Sequence, residues 1–371
     1  VYAIAQPPAK REERNTQYGP RRRLIVNPDV RLLYDMVSIP SVSGSEQELA
    51  GFLVRAMRER GFAAAVDEVG NAVGELGDGP EEILLLGHMY TVPGDIPVQV
   101  QDGALYGRGA VDAKGPLAAF VAAVARIGPL PGKRLVVAGA VEEEAATSKG
   151  ARHLLQTRRP DVVVIGEPSG WERITIAYKG RLLVDYRLEQ PVAHTAGPHT
   201  AVCERAAAFW EALRAHASAY NHGLERRHER LDISLRGMHS GGDGLCEWAE
   251  LTVAYRVPPA LDLEAVRAAV RSLAQPEAVV RLRGEELPYQ AAKNTRLVAV
   301  LLSGIRAVGG RPAFSFKTGT SDMNVVGPVW NCPIAAYGPG DSSLDHTPQE
   351  RIDLAEYELA IRVLAEALKA L

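Results

Sequence analysis

The sequence predicts an α/β fold, a mixed sheet with helices on its faces, together with an inserted α+β segment. Three observations lead there. Residues 83–86, 135–140 and 162–165 are short, continuous apolar runs of strand length. Helical stretches at 117–127 and 151–157 separate them, and such alternation builds a sheet covered by helices. At 371 residues the chain is too long for one minimal core and suits two domains.

Taken in order, residues 1–27 are rich in Pro, Arg, Gln and Glu, include Arg21-Arg22-Arg23 and show no apolar periodicity, so a disordered extension is expected. From Val30 the pattern is helical, with Leu32, Leu33, Met36 and Val37 on one face, until Pro40-Ser41-Val42-Ser43-Gly44 breaks it. Ser45 followed by Glu48 reads as a capping box opening a helix through Leu49, Phe52, Leu53 and Met57. After Trp171 the texture changes. Strands at 174–178 and 182–186, a helix at 200–216, strands at 231–235 and 250–257, a helix at 263–273 and a strand at 279–283 make two helices on an antiparallel sheet. The expected division is 28–172 with 293–371 as one unit, closed by a helix at 354–371, and 173–292 as the insert. There is no internal repeat.

Composition narrows the function. Hydrophobic residues at 46% and charged residues at 23% are ordinary for a soluble globular protein. A net charge of −3 gives no general argument for nucleic acid or an anionic membrane as partner. The opening residues are too briefly apolar for a secretory signal or a membrane span. Cys203, Cys246 and Cys332 are an odd, widely separated set that reads as reduced thiols, and the cytoplasm is the expected location.

Chemistry concentrates in a few short segments: Leu84-Leu85-Leu86-Gly87-His88, Gly107-Arg108-Gly109-Ala110-Val111-Asp112-Ala113-Lys114-Gly115, Val141-Glu142-Glu143-Glu144, Ile165-Gly166-Glu167-Pro168 and Asp345-His346-Thr347-Pro348. Two His and three carboxylates without a thiol suit a pair of Zn, Co or Mn ions in an open, hydrolytic site. His88, Glu143, Glu144 and Glu167 fall just beyond apolar strand-like runs, where α/β sheets collect their ligands. Asp112 sits in a glycine-flanked turn, and its two oxygens allow it to bridge. Adjacent Glu143 and Glu144 point apart, so one binds metal while the other moves a proton. For amide hydrolysis, two ions about 3.5–4 Å apart acidify a water and polarise the carbonyl.

The order and context of these motifs resemble the dinuclear zinc amidohydrolases and peptidases that include succinyl-diaminopimelate desuccinylase, acetylornithine deacetylase and the glutamate carboxypeptidases. The resemblance implies a zinc-peptidase-like catalytic domain with an inserted lid and dimerisation domain, hence a homodimer. It implies that His88 and Glu167 hold one ion, Glu144 and His346 the other, that Asp112 bridges both, and that Glu143 is the general base. His194, in Val192-Ala193-His194-Thr195-Ala196-Gly197, matches the lid histidine that crosses a dimer to the oxyanion. Arg256, in Tyr255-Arg256-Val257-Pro258-Pro259, matches the arginine that grips a substrate carboxylate. One position departs: the family's His-x-Asp-Thr-Val-Pro reads His88-Met89-Tyr90-Thr91-Val92-Pro93 here. The family Asp accepts the second ring N–H of the metal-bound His, and loss of such a partner costs about 10–100-fold. Tyr90 at that position opens a second reading, a weakly active or non-catalytic binder of acyl-amino acids.

Further segments, among them Lys317-Thr318-Gly319-Thr320-Ser321-Asp322-Met323-Asn324 and Gly340-Asp341-Ser342-Ser343-Leu344-Asp345-His346, resemble the branch that releases lysine or ornithine from an acidic amino-group carrier protein, the acetyl-lysine deacetylase branch. That resemblance implies an amide between the amino acid's α-amino group and a carrier glutamate γ-carboxyl. Arg256 would hold the α-carboxylate and an acid such as Asp322 would meet the side-chain ammonium, the other reading of Asp322 being a loop-capping residue in the Thr-Ser-Asp turn. An acetylornithine or succinyl-diaminopimelate deacylase is the alternative within the class.

Overall fold

The computed structural model describes residues 27–143, 147–194 and 196–371. The extension expected at the start therefore lies outside the described residues except for Asn27, and so does Glu144. Helix α1 (Pro28–Val37) starts where the Asn27 side chain accepts from the N–H of Asp29 and Val30, with Pro28 in the first turn. Helix α2 (Gln47–Arg58) buries the expected face, Leu49, Leu53 and Met57, but has no capping box. The Ser45 N–H closes a turn on the Val42 carbonyl, which moves the cap position one residue on to Glu46. The Glu46 carboxylate instead accepts from the Glu142 N–H at 3.2 Å.

Next come β1 (Ala63–Val66), β2 (Ala72–Leu76), β3 (Glu81–His88), the short β4 (Gln99–Gln101) and β5 (Ala104–Tyr106), α3 (Lys114–Ile127), β6 (Lys133–Ala140), α4 (Lys149–Thr157), β7 (Val162–Ile165) and β8 (Arg173–Tyr178). Strand β3 lies between β6 and β7 and is parallel to both. Its residues alternate between two cores: Ile83 and Leu85 face α3, while Leu84 and Leu86 face α4. Because both faces are covered, the sequence shows a continuous apolar run rather than an alternating one.

The insert has the opposite texture. Strands β9 (Gly180–Pro191), β10 (Asp232–Gly242), β11 (Cys246–Val257) and β12 (Val279–Glu286) form an antiparallel sheet in the order β10-β11-β9-β12. Burial alternates along β9 and β11, because α5 (Val202–Tyr220) and α6 (Leu263–Leu273) cover one face only. Tyr186 stacks on Phe209 at 4.5 Å in that core.

The chain returns through β13 (Tyr289–Gln290), α7 (Arg296–Ala307), β14 (Ala313–Lys317), α8 (Asp322–Trp330), β15 (Ile334–Ala336), β16 (Arg351–Asp353) and α9 (Leu354–Ala370). The main sheet runs β1-β2-β6-β3-β7-β15-β8-β13, with β14 also paired to β8. Strand β8, expected to open the insert, belongs to this sheet, and the four-stranded sheet starts at Gly180. Ile174 and Ile176 bury into the main core. An isolated apolar strand carries no mark of which sheet will take it. Among the described residues, no helix is long and apolar enough to cross a membrane.

Leu85→Ala tests the two-sided packing of β3. Leu85 is fully buried, so truncation is expected to cost about 2–5 kcal/mol. A chemical-denaturation midpoint equal to the parent's would show that this strand interior is not packed as described.

Candidate metal centre

Parallel strands β3, β6 and β7 end on the same side of the sheet, and the chemistry gathers there. Strand β3 ends on His88, β6 leads into Val141, Glu142 and Glu143, and β7 leads through Gly166 to Glu167. A Cβ on Gly166 would stand 2.8 Å from the Phe120 ring and 3.1 Å from the Gly87 Cα, so only glycine lets the chain turn this close to β3. Glu142 and His346 adopt left-handed backbone, with φ of 57° and 60°, strain that the surrounding contacts must hold.

His88 Nε2 lies 3.3 Å from Asp112 Oδ1 and 3.9 Å from Glu167 Oε1. His346 Nε2 lies 2.9 Å from the other oxygen, Asp112 Oδ2. One carboxylate thus faces two imidazoles through separate oxygens. Ligand atoms of His88, Asp112 and Glu167 fall within 4.8 Å of one another. Two imidazoles and two carboxylates without a thiolate fit divalent ions of the Zn, Co and Mn class, and the two-faced Asp112 fits a place between two cations.

The second nitrogen of His88, Nδ1, is 3.2 Å from the main-chain carbonyl oxygen of Tyr90. With Nδ1–H donating there, Nε2 is the nitrogen left toward Asp112 and Glu167, where it carries the proton shared with Asp112 and would offer a lone pair to a cation once that proton is displaced. The family motif has this acceptor in the side chain at position 90, whereas here the backbone supplies one, without charge. A backbone acceptor leaves no trace in residue identity.

The Asp112 loop is held by a residue that sequence reasoning missed. Glu350, almost fully buried, accepts the N–H groups of Val111 and Asp112 on Oε1 at 3.1 and 3.2 Å. Its Oε2 meets Arg108 Nη1 at 2.7 Å, and the same nitrogen donates to the Thr347 carbonyl at 3.2 Å. The available signal was a lone acid four residues beyond His346.

Crowded carboxylates shape the electrostatics. Burial alone would lower the His88 pKa, but its hydrogen bond to Asp112 and the charges of Glu143, Asp112 and Glu167 hold it well above the usual imidazole range. Burial pushes Asp112 up, yet the hydrogen bonds from His346 and His88 bring it below the ordinary carboxylate range. Glu167 is held well above that range by burial and by Asp112, Asp322 and Asp345. Burial, with Asp112 beside it, raises Asp345 to about 8. The site gathers more negative charge than its imidazoles neutralise, which is the electrostatic signature of a cation site.

A cavity of about 300 Å3 opens onto these groups, lined among others by Asp112, Glu143, Glu167, Arg256, Lys317 and His346. Arg256 arrives from β11, with Nη1 3.3 Å from Thr320 Oγ1. Two expected residues are elsewhere. Asp322 is buried in the first turn of α8 and does not line the cavity, although its charge reaches Glu167. His194 is exposed beyond β9, where its Nδ1 accepts from the Ala196 N–H at 3.2 Å, and it lines a separate cavity with Gln190, Arg205 and Glu277.

A model of the peptidase family M20/M25/M40 matches residues 84–370. The LysW-lysine hydrolase of Deinococcus radiodurans is 48% identical over 347 residues, covering 92% of this chain and 96% of that relative. The LysW-lysine/LysW-ornithine hydrolase of Saccharolobus islandicus is 28% identical, over 94% of this chain and 98% of the relative. The crystal structure of the M20 family metallo-carboxypeptidase Sso-CP2 from Sulfolobus solfataricus superposes with a TM-score of 0.74 at 18% identity, covering 92% of this chain and 99% of that one, and so shares the fold.

Because His88 and Glu167 hold their protons to higher pH than free groups, a cation must displace those protons to bind. Both folded pKa values are raised, so the metal-free fold is favoured by proton binding at low pH and loses that stabilisation as pH rises through them. Affinity for Co2+ or Zn2+ is therefore expected to increase as pH rises through and beyond the ordinary imidazole range, with proton release measurable by calorimetry in two buffers. Affinity that is flat or falling with pH would contradict this electrostatic description.

Proposed function

The chain belongs to peptidase family M20/M25/M40, and we propose that it is the metal-dependent amidohydrolase that frees lysine or ornithine from an amino-group carrier protein. The observation that carries the metal site is the Asp112 carboxylate set between His88 and His346, with Glu167 beside His88, at the floor of a cavity that Arg256 enters. The substrate class is supported by 48% identity to a LysW-lysine hydrolase over nearly the whole chain.

In this reading His88 and Glu167 would hold one divalent cation and His346 and Glu144 the other, with Asp112 available to both and Zn or Co as the metal. When bound, such a pair acidifies water and polarises the scissile carbonyl. Glu143, which lines the cavity, takes a proton from the attacking water and returns it to the α-amine as the amide C–N bond breaks, leaving the carrier γ-carboxylate and the free amino acid. Arg256 pairs with the amino acid's α-carboxylate through its fork of donors. Asp345, rather than Asp322, is the lining acid open to a substrate ammonium. His194 lines a different cavity of its own chain, which suits a role across a homodimer. The non-catalytic reading rested on Tyr90, and the acceptor at the Tyr90 carbonyl together with the hydrolase-named relatives favours the enzyme.

Glu143→Gln keeps shape while removing the proton acceptor, so turnover of carrier-linked lysine is expected to fall by about 10²–10⁴-fold with metal binding intact. Near-parental kcat would remove Glu143 from the role of base. Mixing His194→Ala and Glu143→Gln chains, each inactive alone, is expected to restore activity in heterodimers that carry one intact site. Absence of complementation, with mixed dimers shown to form, would exclude a contribution of His194 across subunits.

A further inference from the structure

Glu350 is among the most buried carboxylates of the described residues, at 1% exposure, and is not among the residues lining the cavity at the metal centre. Its contacts all serve the site. Oε1 receives two consecutive backbone N–H groups, those of Val111 and of Asp112 itself, which fixes the peptide that sets the Asp112 side chain between the imidazoles. Oε2 receives Arg108, whose guanidinium also donates to the carbonyl of Thr347, next to His346, and to that of Gly94 at 3.1 Å. The Gly107 N–H in turn donates to the Glu350 carbonyl at 3.3 Å. A buried ion pair whose remaining acceptor sites are filled by backbone donors is the arrangement in which a charge can be held away from water.

We propose that Glu350 is the positioning residue of the centre: through Arg108 it locks the Asp112 loop to the His346 segment, so that both cation positions depend on one carboxylate that contacts neither ion. The inference rests on the reading of the site as a two-cation centre. It makes a prediction that simple structural support does not. Asp112 faces both imidazoles, so loosening its loop weakens both ions together and leaves the Arg256 grip on substrate alone.

The experiment titrates Co2+ into metal-free parent, Glu350→Ala and Glu350→Gln proteins well below their melting temperatures, with thermal melts of each metal-free form alongside. Glu350→Ala is expected to bind both ions about 10–100-fold more weakly, the range typical of lost ligand-orienting contacts. Glu350→Gln keeps the shape and one acceptor oxygen, so it is expected to weaken binding less, but still measurably, because its NH2 faces either Arg108 or the two backbone N–H groups, donor against donor. It carries the test should Glu350→Ala fail to fold. At saturating Co2+ the variants are expected to lose kcat while keeping KM. Parental affinity for both ions in the folded variants overturns the proposal, as does weakening of only one ion. A parent chain that binds no Co2+ at all instead overturns the two-cation reading on which the proposal stands.

Discussion

Asp112 offers one oxygen to His88 and the other to His346, and this shared carboxylate is the constraint around which the rest is arranged. Burying a carboxylate is costly unless opposite charge and donors surround it, and here donors come from both sides. Placing Glu143, Glu167 and Asp345 nearby adds negative charge that two imidazoles cannot balance. The raised His88 and Glu167 pKa values record that imbalance, with protons held where cations fit.

The fold meets this demand through register. Parallel β3, β6 and β7 bring His88 at a strand end, and Glu143 and Glu167 a few residues beyond theirs, to one side of the sheet. Segments just past strand ends are exposed to distortion, and the site answers with buried polar anchors. Glu46 holds the Glu142 N–H, and Glu350 holds the Asp112 peptide. The insert contributes from a distance: β11, covered on one face by α5 and α6, leaves its polar face to carry Arg256 to the cavity.

Much of this was legible in the chain. The strands at 83–86, 135–140 and 162–165 were readable because two-sided burial demands uninterrupted apolar side chains, and the helix at 263–273 because its apolar spacing matched one turn of helix. The motifs around His88, Asp112, Glu167 and His346 were readable because only a few side-chain types can ligate a cation, and the structure brings these four together. Several readings failed for reasons equally physical. Strand β8 went to the other sheet, since apolar strands do not name their partners. The capping box at Ser45 gave way to a turn from Val42, because a local motif competes with the hydrogen bond that the preceding chain already makes. Asp322 is buried in the first turn of α8 and is not among the residues lining the cavity, since the sequence of a capped helix start does not say which way that helix faces.

By itself, then, the sequence determined the chemistry: which residue types can ligate, which can move a proton, and which runs must be buried. These follow from side-chain identity and spacing. Only the tertiary structure decided orientation. It put the Tyr90 carbonyl behind His88, set Glu350 under Asp112 across more than two hundred residues of chain, brought Arg256 into the cavity and left His194 facing elsewhere. Such contacts are made by backbone atoms or between segments remote in the chain, and no local pattern of residues encodes the direction in which a group will point.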